Sequence, residues 1–202
     1  MKQKNQSYKA IILTLLSLFG IAQIAHANEN NLLAGTWSSQ CAPNDTGNFM
    51  IETFKFTKNS ANYSVKTYDD SVCKKHISTL TTYRDFKLGK LTSKSSNTRN
   101  LDYTFKSVTM IFTNPSAVAD ANKLPGYYGF TNWKLNQSKE ILGLKRVNTS
   151  NPEHTQGEKF YTIVKIDQNK LYMGDYSSGA GTSDRTRLSV IYSVPFISEN
   201  RE

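Results

Sequence analysis

Side chains able to do chemistry are few in this 202-residue chain, and they are scattered. Catalysis near neutral pH needs a base or nucleophile held beside the group that activates it. Beyond residue 27 the chain has two histidines, His76 and His154. Neither sits at a metal-ligand spacing, and His154 lies in the polar stretch Asn151-Pro152-Glu153-His154. There is no G-x-S-x-G elbow, no H-E-x-x-H and no phosphate-cradling glycine loop. Asp69-Asp70, followed by Ser71, reads as a strand-end turn rather than as paired acids or calcium ligands. Glu52 and Asp175 fall in strand-like stretches, where a lone acid is expected to face solvent. The expectation is a protein without a catalytic residue, metal site or cofactor.

Cys41 and Cys73 are the only cysteines. In an oxidising compartment they permit one pairing, closing a loop of about 30 residues worth about 3 to 4 kcal/mol by loop entropy. Two free thiols or a metal pair are the alternatives, and no second C-x-x-C supports metal.

The amino terminus indicates the compartment. Lys2, Lys4 and Lys9 precede an apolar run from Ala10 to Phe19, and Ala25-His26-Ala27 places small residues where a signal peptidase reads. The run is shorter than the roughly 20 residues that span a bilayer, and Gln23 and His26 interrupt its end. Residues 1–27 are therefore expected to be a signal peptide and residues 28–202 one periplasmic or secreted domain. No later stretch approaches a transmembrane length, and no cysteine follows the run to take a lipid anchor. The remaining chain has 22 basic and 16 acidic residues, a net charge of +6. The basic residues form no block, so nucleic acid is not an expected partner, whereas an anionic envelope surface or acidic ligand is compatible.

The elements that must position any site read as strands. Thr, Tyr, Phe, Val and Ile alternate with polar residues, broken by Asn, Asp, Gly and Ser clusters. The expected strands are 35–40, 49–57, 62–68, 77–88, 101–112, a weak 141–147, 159–166, 170–176 and 187–196. Asp167-Gln168-Asn169 suits a hairpin. Asn114-Pro115 suits the start of a single helix over 116–123, ended by Leu124-Pro125-Gly126. Short strands at regular spacing indicate a sandwich or barrel.

Gly35-Thr36-Trp37 sharpens this expectation. In lipocalin-like barrels a G-x-W at the first strand puts the indole across one barrel end, often under a late arginine, here Arg185 or Arg187. Gly35 to Cys41, Phe49 to Phe56 and Tyr68 to Cys73 together resemble the opening of the domain of the adenomatosis polyposis coli down-regulated family. The resemblance covers roughly Leu33 to Ile77. That family has a basic residue at the place of Glu52 and a proline at that of Lys74-Lys75. The resemblance implies an extracytoplasmic, all-β, antiparallel lipocalin-like barrel of about eight strands, of the exported bacterial kind, with Cys41 paired to Cys73. The Wnt antagonism of animal members is not carried over, because nothing in the chain identifies a signalling partner.

A barrel of about eight strands can be filled by side chains or hold one small ligand. Met50, Phe54, Phe56, Tyr63, Leu101, Tyr103 and Phe105 fall on the expected inner faces. They are candidate walls for a hydrophobic or lipid-like ligand, or an ordinary core. Tyr127, Tyr128 and Trp133, in an aromatic segment after the helix, are candidate lid residues or a seal over one barrel end. The functional expectation is a non-catalytic binding protein. The alternative is a filled barrel that touches a protein or envelope surface through loops around Asn114 to Trp133. Amino-terminal sequencing of the protein recovered from an exporting host should begin at Asn28; a chain that keeps Met1 contradicts the export reading.

Overall fold

The structure is a computed structural model that describes residues 32–93, 96–123, 127–146, 152 and 154–199. The expected signal segment, together with Leu124, Pro125 and Gly126, lies outside the described residues. The strands and helix follow the order β1 (Gly35–Ser38), β2 (Ala42–Pro43), β3 (Phe49–Phe56), β4 (Ser60–Tyr68), β5 (His76–Ser93), β6 (Thr98–Phe112), α1 (Pro115–Lys123), β7 (Lys139–Glu140), β8 (Lys159–Asp167), β9 (Lys170–Met173) and β10 (Phe196–Ser198). Short 3₁₀ turns cover Tyr176–Ser178 and Asp184–Thr186. Among the described residues, no helix is long and apolar enough to cross a membrane.

Every strand pairing is antiparallel, and the sheet closes on itself. The order β1-β10-β9-β8-β6-β5-β4-β3 returns to β1 through a β1–β3 pairing, which makes an eight-stranded barrel. β2 and β7 are two-residue additions to β3 and β6. The expected all-β barrel with one short helix is thus the observed fold.

The alternation that defines each strand also aims its side chains. On β3, Phe54 and Phe56 are buried while Lys55 between them is exposed. On β6, Leu101, Tyr103 and Phe105 are buried, and so are Val108 and Phe112 at the opposite parity. A bulge reconciles the two sets. Tyr83 pairs with Ser107 but Arg84 with Phe105, so Lys106 is an extra residue and the inward phase flips there.

Two hydrophobic cores result. Trp37, Leu33, Phe54, Phe56, Leu101, Tyr103, Val164, Leu171 and Phe196 form the first, with the Trp37 Nε1–H donating to the Leu33 carbonyl at 2.8 Å. The second lies further along β5 and β6, where Val108 and Phe112 pack with Ala121 of α1 and with Tyr128, Trp133 and Ile141. Asn122 holds this lobe together, its amide accepting from Trp133 N at 2.7 Å and donating to Trp133 O at 3.0 Å. Cys41 and Cys73 form a disulfide, with Cα atoms 6.0 Å apart, tying the stretch after β1 to the β4–β5 connection.

The structure differs from the sequence expectations in three places. Residues 141–146 make no strand, and Val147 lies outside the described residues; β7 covers Lys139–Glu140 and turns follow it. Most of 187–196 is irregular, and only Phe196 begins a strand. Leu188 is fully buried, but Val190, Tyr192 and Val194 are about half exposed, so the four share no buried face. Neither Arg185 nor Arg187 covers Trp37. Arg187 instead reaches Asp102 at 2.6 Å and Asp184 at 2.5 Å, and lies over the Tyr161 ring at 5.2 Å. Two carboxylates outbid an indole for a guanidinium, because charge-assisted hydrogen bonds are stronger than a cation–π contact.

Trp37 is fully buried at the strand that closes the barrel. Trp37→Ala should lower unfolding free energy by about 3 to 5 kcal/mol in a urea titration. A loss below about 1 kcal/mol would show that the indole does not hold the closure.

Candidate functional site

The two cores do not meet. The inward residues of β5 run Ser78, Leu80, Thr82, Arg84, Phe86 and Leu88. Leu80 packs with the second core and Phe86 and Leu88 with the first. Arg84 stands between them.

Beside Arg84 is a cavity of about 350 Å³, within the range that holds small ligands. Its apolar walls are Phe54 of β3, Phe160 of β8, Met173 of β9 and Phe196 of β10. Phe54 and Phe196 also belong to the first core, so the cavity borders the core that contains Trp37. Its rim carries Tyr176, which is 71% exposed and stacks on Phe160 at 5.3 Å, and Tyr192. Tyr192 is placed by the irregular segment before β10, whose backbone pairs with the end of β9: Tyr192 N donates to Met173 O at 2.8 Å and Asp175 N to Val190 O at 2.7 Å.

Arg84 is only 7% exposed. Its guanidinium carbon lies 5.0 Å from the Tyr63 ring centre, 5.0 Å from Tyr103 and 4.9 Å from Phe105. Three aromatic rings thus surround the cation. Among the described residues it makes no hydrogen bond or ion pair, and its Nε is fully buried. Burial shifts its pKa below the ordinary arginine value, though a guanidinium stays charged at any physiological pH. Burying an ion costs several kcal/mol even after relaxation. Cation–π contacts return about 0.5 to 2 kcal/mol each, so the rings offset much of the charge cost. They accept no conventional hydrogen bond, so the buried Nε–H has no protein acceptor.

The buried Tyr103 hydroxyl also lacks a protein partner. Burial raises its pKa well above the usual tyrosine value. The Tyr63 hydroxyl donates to the Glu52 carboxylate, and its pKa is raised first by burial and then by that neighbouring negative charge. Glu52 occupies an inward position on β3 and lines the cavity, contrary to the expectation that it faces solvent. The parity of Phe54 and Phe56 dictates this placement. Asp175 is not in a strand. It caps the 3₁₀ turn at the cavity mouth, and the hydrogen bond from Ser177 N, at 2.8 Å, holds its carboxyl below the ordinary range.

Of the residues expected to contact a ligand, Phe54 and Tyr63 line the cavity, and Tyr103 and Phe105 form the rings around Arg84. Phe56 is packed in the first core, and Met50 sits half-buried between Ala42 and Thr67 at the far end of β3. Tyr127, Tyr128 and Trp133 build the second core, away from the cavity lining. Both histidines lie elsewhere. His76 Nε2 is 2.9 Å from Ser78 O and from Thr79 Oγ1, and His154 stacks on Phe105 at 3.9 Å. Asp70 accepts from the backbone N–H of Val72, Lys74 and Lys75, the turn expected from its sequence. Among the described residues, no group of acids, histidines and cysteines has the makings of a metal site. Arg84, Phe160, Met173, Tyr176, Tyr192 and Phe196 were not singled out by the sequence reasoning. Arg84 had a signal: a charged residue at the parity of Leu80, Phe86 and Leu88. No family model and no curated protein matches this chain.

The raised tyrosines set a pH dependence. Up to about pH 10 the phenols are neutral in both folded and unfolded chains. Above it the unfolded chain ionises first, so Tyr63 and Tyr103 should make stability fall as pH rises from 10 towards their folded values. Tyr63→Phe combined with Tyr103→Phe should flatten that decline in urea midpoints measured between pH 9 and 11; an unchanged slope contradicts the assignment.

Proposed function

We propose that this chain is an exported, non-catalytic binding protein that holds a hydrophobic or lipid-like molecule inside its barrel. The observation that carries the reading is the cavity of about 350 Å³ at the edge of the first core, walled by Phe54, Phe160, Met173 and Phe196. A barrel evolved only as a scaffold gains stability by filling such a space, since each buried methylene adds about 0.8 kcal/mol. The disulfide is compatible with an oxidising, periplasmic or extracellular location. The resemblance of Gly35 to Cys73 to the adenomatosis polyposis coli down-regulated domain supports the same reading, and we place the chain with the exported bacterial members. A binding rather than catalytic role is supported by the cavity's composition: its titratable residues are two carboxylates, tyrosines and one arginine, and both histidines lie outside it.

The competing reading, a filled barrel that binds partners through the segment ending at Trp133, has less support. Tyr128 and Trp133, which such a surface would present, are buried.

The uncharged dye Nile red tests the proposal. Delipidated protein should enhance and blue-shift its emission saturably, with one dye per chain. Met173→Trp, which fills the cavity, should weaken uptake by about tenfold while leaving the far-ultraviolet circular dichroism unchanged. Absence of saturable uptake by the folded protein would overturn the reading.

A further inference from the structure

The residue least explained by an apolar binding site is Arg84. A cavity for purely hydrocarbon ligands has no use for a cation in its wall, and a natural core seldom buries one without a partner. The site nonetheless retains it, places three rings against it, and leaves its donors and the neighbouring Tyr103 hydroxyl without protein partners. Two orphaned polar groups thus converge beside a cavity that Arg84 itself lines. The lining carboxylates do not answer the charge: Glu52 is engaged by the Tyr63 hydroxyl and forms no ion pair with Arg84, and Asp175 caps its own 3₁₀ turn.

Building on the binding role proposed above, we infer that the occupant is an amphiphile with a single carboxylate head, bound head-inward on Arg84 with its apolar tail directed toward the rim at Tyr176 and Tyr192. A guanidinium matches a carboxylate with two parallel N–H···O bonds, the geometry a planar fork offers and an ammonium does not. The head carries one negative charge because Glu52 and Asp175, already in the lining, repel a more highly charged group such as a phosphate monoester. The orientation follows from burial: Arg84 is enclosed, whereas Tyr176 and Tyr192 are exposed. Among the described residues this is where a ligand anion gains most, since it meets a cation whose desolvation the fold has already incurred.

The probes are cis-parinaric acid and its methyl ester, which share a tail and differ in head charge. On delipidated wild-type protein the acid should bind at least about tenfold more tightly than the ester. Arg84→Met should abolish that difference by weakening the acid alone, and Arg84→Lys should restore it only in part. The Met variant removes an unpaired buried charge, so its ligand-free thermal midpoint should equal or exceed that of the wild type. If it fails to fold, the acid–ester comparison on wild-type protein decides. Equal binding of acid and ester overturns the carboxylate inference while leaving the hydrophobic cavity standing. Binding of neither overturns the cavity reading itself. Displacement of the acid by millimolar acetate or inorganic phosphate would make the occupant a free anion and likewise overturn the inference.

Discussion

The fold depends on closing a sheet through a very short seam. β1 has four residues and must pair with β3 on one side and β10 on the other; Trp37 stands opposite Phe54 in the first pairing and Ser198 in the second. So few backbone bonds would hold a seam poorly by themselves. The seam is reinforced from within by the fully buried indole, and from outside by Glu199, which accepts from the Ser38 hydroxyl at 2.6 Å and donates its N–H to Thr36 O at 3.0 Å. The disulfide keeps the chain just beyond β1 near the start of β5. Closure abolishes exposed sheet edges and, by the same act, creates an interior. Without it, Arg84 and the rings around it would lie on an open sheet in water.

The interior is divided rather than filled. One core gathers around Trp37 and the other around Phe112 and Trp133, and the long β5–β6 hairpin runs through both. The bulge at Lys106 lets a single strand contribute to each, because it resets the inward parity where one core gives way to the other. The aromatic segment after α1 is what allows the second core to exist: it supplies Tyr128 and Trp133, while Lys139 lies over Phe130 at 4.4 Å at its outer edge. Arg84 stands between the cores along β5, and the cavity it lines is walled by residues of the first. Sequences tend to break the rules of core composition where function requires it, and the break here is Arg84, a buried cation beside the cavity.

Much of the architecture was legible in the residues. The alternation in 49–57, 62–68 and 101–112 points to strands that the structure contains, and the two cysteines and Asn114 take the structural places their chemistry suggests. Strong periodicity made these elements visible. The segments misjudged were those where tertiary contacts override local pattern. Leu188 to Val194 alternates like a strand but is irregular, with Tyr192 reaching the cavity, and Ile141 follows a two-residue strand into a turn. Of the residues that parity aims inward, Phe54 and Tyr63 line the cavity, and Tyr103 and Phe105 surround Arg84. The aromatics from Tyr127 to Trp133 were indistinguishable in sequence from ligand contacts, because hydrophobicity does not reveal whether a ring faces a neighbour or a cavity. The expectation that a lone acid in a strand faces solvent fails for Glu52, which shares the inward parity of Phe54, and Arg84 shares that of Phe86.

The proposed role requires that the cavity walled by Phe54, Phe160, Met173 and Phe196 be occupied in the native protein. Native mass spectrometry of the protein taken from its native host, without delipidation, addresses this most directly. The account predicts a population heavier than the polypeptide by one small molecule, released by organic solvent and detected as an acidic, lipid-like ion. A protein that is only ever recovered at the mass of its bare chain would contradict it.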